Sequence, residues 1–257
     1  GDKLSARIKR ALISVSNKKG IVDFARALEK LKIEMISTGG TFKTLSKEKI
    51  KVSKVEDITS FPEILDGRVK TLHPFVHGGI LADRRKVDHI SKINEMKIPE
   101  IDMVVVNLYP FKETISKSTV TMQEAIENID IGGPTMIRSA AKNHASVAVI
   151  TDPNDYTKII EELKKEKCYL NDKILFSLSL KAFKHTAEYD SVIFKYFNTK
   201  IDELGSSDIL IDKSTEGPSG DNLVDVFKDN KENYKNSINI VLKKKQDLRY
   251  GENPHQM

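Results

Sequence analysis

The sequence predicts an α/β fold built on a mainly parallel sheet, and three observations carry that expectation. Short apolar runs alternate with amphipathic stretches of helical spacing, and the connections between them are short. The run Ile101-Asp102-Met103-Val104-Val105-Val106-Asn107 is continuous and β-branched, as strands covered on both faces are. The polar, glycine-bearing motifs fall just after the expected strands, where open parallel sheets bind their ligands. At 257 residues the chain can hold one large domain or two modest ones.

Arg10-Ala11-Leu12-Ile13-Ser14-Val15 reads as a buried strand, and Ile21, Phe24, Ala25, Leu28 and Leu31 then recur at helical spacing. The turn between them, Ser14 to Gly20, offers Ser and Asn side chains that can cap the helix. A second unit repeats the pattern, with a strand over 33–37, a turn at Thr38-Gly39-Gly40-Thr41 and a helix from Phe42 to Lys49. A short strand follows at Lys51 to Val55. The loop Asp66-Gly67-Arg68-Val69-Lys70-Thr71-Leu72-His73-Pro74 packs a glycine turn, two cations, a hydroxyl and an imidazole into one stretch, and Pro74 is expected to bar a helix there. His77-Gly78-Gly79-Ile80-Leu81 reads as a tight backbone passage, and Lys86 to Met96 as a helix on Val87, Ile90 and Ile93. After the 101–107 strand, Met122 to Ile129 is helical, Asp130-Ile131-Gly132-Gly133-Pro134 breaks it, and Thr135 to Asn143 resumes a helix. A last strand is expected over 147–150. From Tyr156 to Phe197 the chain reads as mostly helical, with an apolar stripe on Ile174, Leu175, Leu178, Ala182 and Phe183. Glycine- and serine-bearing segments around 205 and 217 read as linker, and Ser237 to Leu242 alternates like a strand.

With 39% hydrophobic and 31% charged residues the composition is that of a globular protein with a real core. The net charge of +5 comes from interspersed signs, and aromatics are 7% with no Trp, which argues against a nucleic-acid surface and for a small anionic substrate. One cysteine, Cys168, gives no disulfide framework and no metal-ligand pair, so a reducing cytoplasm is the expected location. No apolar run approaches the roughly 18 residues of a membrane span, and Gly1 to Arg10 lacks the core of a signal peptide.

Thr38-Gly39-Gly40-Thr41 between a strand and a helix has the makings of a phosphate nest: glycines allow close approach, hydroxyls donate, and the helix start adds N–H groups and a positive end. Lys18, after the first strand, could reach the same anion. The spacing is neither a Walker A loop nor a dinucleotide fingerprint. Arg68 and Lys70 supply charge-assisted donors to phosphate or to a developing oxyanion, or simply solvate a basic loop. Asp130 and Lys142 are candidate proton-transfer groups, since a carboxylate and an amine held together out of water move each other's pKa. Each also fits a plain duty, helix punctuation for Asp130 and a dipole partner for Lys142. Tyr109 either donates a proton or forms a rim. His73, His77 and His144 lack a matching carboxylate or thiol pattern, so no metal site is expected. The residues alone describe an enzyme-like cleft for a phosphorylated metabolite.

Ser14-Val15-Ser16-Asn17-Lys18, Thr38-Gly39-Gly40-Thr41, Gly67 to Pro74, Asn107-Leu108-Tyr109-Pro110-Phe111, Asp130-Ile131-Gly132-Gly133 and Ala140-Ala141-Lys142-Asn143-His144 stand in an order and spacing that resembles the IMP cyclohydrolase domain, the amino-terminal half of the bifunctional AICAR transformylase/IMP cyclohydrolase family. The resemblance runs from about Arg10 to Phe197 and includes Lys181 to Asp190. It implies a methylglyoxal-synthase-like three-layer α/β/α sandwich, followed by C-terminal helices and linker. The implied reaction closes the purine ring of 5-formamido-4-carboxamide-imidazole ribonucleotide (FAICAR) to give inosine monophosphate with loss of water. By the same resemblance Lys142 is a proton donor and acceptor, with Lys70, Tyr109 and Asp130 around the reacting amides. Ser16, Asn17, Lys18, Thr38, Gly39, Gly40 and Thr41 would hold the phosphate end. Arg68, Lys70, Thr71, Asn107, Asp130 and Ile131 would surround the base and ribose, and Ser14, Val69, Val106 and Gly132 would also bind substrate. Asn17 stands where Asp is common before the Lys, a change that keeps a polar cap.

The implied division is a cyclohydrolase domain over 1–200, a linker over 201–236, and over 237–257 the first segment of a truncated transformylase domain, where Arg249 and Tyr250 resemble residues that contact its nucleotide. The cyclohydrolase would need no cofactor, and 10-formyltetrahydrofolate would serve only the transformylase half, which is largely missing here. A homodimer is implied, with no nucleic-acid or membrane partner. Two other readings share the resemblance in fold: a nucleotide-sensing regulatory module, and a methylglyoxal synthase acting on a triose phosphate.

Overall fold

The structure, a computed structural model, describes residues 4–116 and 119–200. The expected linker, the strand at Ser237 to Leu242, and Arg249 and Tyr250 lie outside the described residues.

The strands are β1 (Leu4–Arg7), β2 (Arg10–Val15), β3 (Glu34–Ser37), β4 (Ser53–Lys54), β5 (Met103–Asn107), β6 (Ala148–Ile150) and β7 (Tyr169–Asn171). The helices are α1 (Ile21–Lys30), α2 (Gly39–Lys47), α3 (Val55–Thr59), α4 (Pro74–Leu81), α5 (Val87–Glu95), α6 (Phe111–Ile115), α7 (Met122–Glu127), α8 (Gly132–Lys142), α9 (Tyr156–Lys165) and α10 (Asp172–Lys200). Five strands form one parallel sheet in the order β4-β3-β2-β5-β6. Helices α1, α2 and α9 pack as one group against β2 and β3, while α4, α8 and α10 pack as another against β5 and β6, which makes three layers. Met103, Val104, Val105 and Val106 are each no more than 1% exposed, the burial expected of a central strand covered on both faces. Chain order reverses between β2 and β5, so the connections leaving their carboxyl ends run to opposite faces and leave a crevice at the switch point. Register sets what lines it, since Val15 pairs with Asn107 and Ser14 with Val106.

Several elements differ from the sequence reading. Helix α2 begins at Gly39, so the glycines form its first turn and not a separate turn. Pro74 opens α4 instead of barring it, because the first helical position needs no N–H; His73 caps that end, its Nδ1 accepting from the Phe75 N–H at 3.1 Å. The 77–81 stretch is helical within α4, and a Cβ on Gly79 would run into the Pro99 carbonyl oxygen, which is why the helix can lie so close to the chain before β5. Gly132, Gly133 and Pro134 likewise belong to the first turn of α8. Val87 is 85% exposed, so α5 rests on Ile93 and the half-buried Ile90. Phe183 is 39% exposed, off the buried stripe of Leu175, Leu178 and Ala182. Neither Ser nor Asn caps α1; Gly20 holds that position at φ 70°. The helical reading of 156–197 missed β7, which pairs antiparallel with β1, two short strands whose partners are far apart in sequence.

Candidate active site

The β2–α1 and β3–α2 connections form one wall. Thr38 is extended (φ −123°, ψ 151°) and its side chain caps nothing, so the first amides of α2 point outward without intrahelical partners. The Thr38 hydroxyl instead meets Ser14 Oγ at 2.7 Å. Thr41 is not free to donate to a ligand as expected: its hydroxyl accepts from the Val15 N–H and donates to the Val15 carbonyl, both at 3.0 Å, tying α2 to β2. The nest therefore rests on backbone amides. Two cations stand over it. A Cβ built on Gly40 would lie 3.8 Å from Lys18 Nζ, and one on Gly39 3.5 Å from Lys70 Nζ. Lys18 is steadied by donating to the Val15 carbonyl at 2.7 Å, and its partial burial lowers its pKa. A helix start with two ammonium groups above it has the chemistry to receive an anion.

The second wall is the loop before α4. Ile64 and Val69 bridge, and Gly67 turns the chain at φ 88° between them, a conformation that suits glycine. Val69 is spent on this bridge and does not line the cavity; Arg68, Lys70 and Thr71 do. Lys70 is paired with Glu63 and has Glu56 at 3.8 Å. Arg68 grips Glu127 of α7, and that contact holds the Glu127 carboxyl below its usual pKa. Both partners of that pair are largely exposed, so solvent screens it. Thr71 is buried against α8, and a Cβ on Gly132 would come within 2.7 Å of its hydroxyl.

The third wall comes from β5 and the α7–α8 connection. Asn107 accepts from the Asn17 N–H at 2.8 Å and donates through Nδ2 to the Asn17 carbonyl at 3.1 Å, clasping the ends of β2 and β5 together. Asn17 itself accepts from the Lys19 N–H at 2.9 Å, a local turn within the β2–α1 connection and not a cap of α1. Asp130 Oδ1 accepts from the Gly133 N–H at 2.9 Å, capping the start of α8 and not the end of α7. Burial raises the Asp130 pKa, and the bond from Gly133 opposes that rise. A Cβ on Gly133 would strike the Asp130 carboxylate and Leu108, so only glycine lets the carboxylate sit there. Tyr109 is 40% exposed at the rim.

The walls enclose a cavity of about 660 Å³ lined by Ser14, Ser16, Lys18, Thr38, Gly40, Thr41, Arg68, Lys70, Thr71, Val106, Asn107, Tyr109, Asp130, Ile131 and Gly132. Fifteen expected residues thus share one space. Asn17, Gly39 and Val69 do not line it, Asn17 lining instead a neighbouring cavity of about 770 Å³ across the Asn107–Tyr109 strand exit. Lys142 is the exception. It is exposed in the last turn of α8, six residues past Met136 at the cavity wall, which turns it roughly 120° from that face and carries it about 9 Å along the axis. Sequence reasoning missed Glu56, Glu63 and Glu127, because nothing in the local sequence around a carboxylate says which distant cation it meets. It also missed that His185 and Tyr189 touch the site loops. His73, His77 and His144 lie apart, as a helix cap, a partner of Ser139 Oγ at 3.1 Å and a neighbour of the Phe176 ring. Among the described residues no group of three or more His, Cys, Asp or Glu is placed to hold a metal ion, and no helix is long and apolar enough to cross a membrane.

Comparison with known proteins adds family to geometry. Residues 20–135 match the MGS-like domain, and residues 140–257 match the AICARFT/IMPCHase bienzyme. The bifunctional purine biosynthesis proteins PurH of Acetivibrio thermocellus and Ruminiclostridium cellulolyticum are each 50% identical over 249 residues, 97% of this chain and 43% of theirs. The chain thus spans less than half the length of these curated relatives. The crystal structure of ForH superposes with a TM-score of 0.64 at 32% identity, over 74% of this chain and 98% of that one. The strand order, the switch-point cavity and these likenesses agree: the chain belongs to the AICARFT/IMPCHase bienzyme family and carries an MGS-like domain.

Proposed function

We propose that this chain is an IMP cyclohydrolase, closing FAICAR to inosine monophosphate with loss of water in the last step of purine synthesis. The observation that carries this reading is the convergence of five loops on one cavity, an anion nest at one end and Tyr109 with a buried carboxylate at the other. The nest, with Lys18, Ser14 and Ser16, takes the 5′-phosphate. Asn107, Thr71, Ile131 and Gly132 lie against ribose and base. An amide nitrogen is a poor nucleophile, so much of the rate comes from aligning two groups already on one molecule. Lys70 then stabilises the oxyanion formed at the formyl carbon, exchanging its contact with Glu63 for one with substrate. Asp130, whose pKa burial raises, and Tyr109 exchange protons with the carboxamide and the departing water. The cyclisation calls on no cofactor, and folate belongs to the transformylase reaction.

Lys142 lies outside the cavity of a single chain, so its assigned role as proton donor and acceptor requires a second copy to close the site. The proposal therefore includes a homodimer. It also includes the division into a catalytic domain over 1–200, a linker over 201–236 and a transformylase start over 237–257. The unbroken run of α8 between the two family matches favours a first domain that extends past residue 135.

The test is to mix the purified chain with FAICAR and follow inosine monophosphate in the ultraviolet. Its formation at a rate well above the uncatalysed one supports the assignment. Nucleotide binding by calorimetry without turnover would point to a sensing module instead, and release of inorganic phosphate from a triose phosphate to a methylglyoxal synthase.

A further inference from the structure

Helix α10 reaches two site loops through one face. The Leu108 N–H donates to His185 Nε2 at 3.3 Å, and the Asp130 N–H donates to Tyr189 Oη at 2.8 Å. The two acceptors are four residues apart, one turn, so they sit side by side on the helix. The amides they hold are those of the residue before Tyr109 and of Asp130 itself. Neither amide has a strand or helix partner to fix it, because β5 has ended and α8 has not begun. The helix that carries the acceptors is itself anchored: Leu178 and Ala182 are buried, and the Ser179 hydroxyl donates to the Ala141 carbonyl at 2.8 Å. Tyr189 is 7% exposed, with its ring edge-on to Phe111 at 6.4 Å.

We propose that His185 and Tyr189 are positioning residues for the cyclisation, together setting the distance between Tyr109 and Asp130 across the cavity. The proposal rests on the functional reading above. As an acceptor at Nε2, His185 must be neutral with its proton on Nδ1. Burial lowers its pKa, opposed by Glu188 and Asp152. Glu113, Lys181 and Lys184 are the other charged groups around the same cavity. Protonation would set one N–H against another and release the Tyr109 loop, so turnover falls as pH drops through the His185 pKa.

The test uses the full chain and three variants, H185L, H185Q and Y189F. H185L and Y189F should each lower kcat about tenfold or more while KM stays within about threefold, the pattern of a misplaced group and not of a lost contact to substrate. H185Q, whose side-chain oxygen can still accept, should stay within about threefold of the parent and lose the acid limb that His185 contributes. Amide hydrogen exchange gives a readout independent of turnover: Leu108 should exchange at least about tenfold faster in H185L and Asp130 in Y189F, with the β2 and β5 amides unchanged. Parent-like exchange at both amides, or turnover within twofold of the parent in both H185L and Y189F, overturns the proposal. If the parent chain itself forms no inosine monophosphate, the functional reading fails, and the exchange rates still decide whether these side chains hold the loops.

Discussion

Asn107 is 7% exposed, and its side chain makes two bonds to the Asn17 backbone just past the end of β2, beside the backbone bond from the Ser16 N–H to the Asn107 carbonyl. Replacing it by Leu keeps the volume and removes an acceptor and a donor together, leaving the Asn17 N–H and carbonyl without their partners. Each lost bond is worth about 1 kcal/mol, and Asn17 is an exposed residue whose backbone groups can turn to water, so the expected loss is about 2 kcal/mol. For a domain of this size, at roughly 2–4 °C per kcal/mol, the melting temperature should fall by about 4–8 °C. Asn107→Asp separates the two bonds. The new carboxylate still accepts from the Asn17 N–H but faces the Asn17 carbonyl with a second oxygen, and only its protonated form can donate there. Its pKa in the folded state is therefore raised above its unfolded value near 3.9, so the loss of stability relative to the parent is small below about pH 4 and grows as pH rises. Thermal melts of parent, N107L and N107D between pH 4 and pH 8 check this. If N107L melts within 2 °C of the parent, or the N107D deficit does not grow with pH, the clasp contributes little and the reasoning is wrong.

Asp130→Asn should stabilise the fold at neutral pH, because the buried carboxylate with its raised pKa costs stability once ionised and the amide oxygen can still accept from Gly133. The gain should vanish in acid, where Asp130 is protonated, and turnover should be lost throughout; melts and rate assays across pH measure both. Lys70→Ala should reduce the rate at least roughly a hundredfold. Lys142→Ala should do the same only in an assembled dimer, a point that sedimentation and rate measured against chain concentration would check. Gly79→Ala should destabilise by about 1–3 kcal/mol through its collision with the Pro99 carbonyl, with nucleotide affinity below the melt unchanged.

The sequence by itself determined the main strands, most of the helices and the order of the motifs. A β-branched run such as 103–106 has few alternatives to a covered strand, and glycines between a strand and a helix allow the close backbone approach that a nest needs. These signals are periodicities and backbone requirements that neighbours in the chain decide. What only the tertiary structure decided is which side chains from different loops meet. The pairing of Val15 with Asn107 in the sheet register brings the β2 and β5 exits to one crevice, and from that follow the grip of Asn107 on Asn17, of Arg68 on Glu127 across 59 residues, and of His185 on Leu108 across 77. Thr41 looked like a ligand donor because a hydroxyl beside glycines does, yet its burial between α2 and β2 hands it to the backbone. Residue chemistry pairs Lys142 with Asp130 as a proton-transfer partner, but helix α8, at 1.5 Å per residue, carries the two apart. Contacts of that kind depend on where the sheet places each helix, and no stretch of this chain encodes them alone.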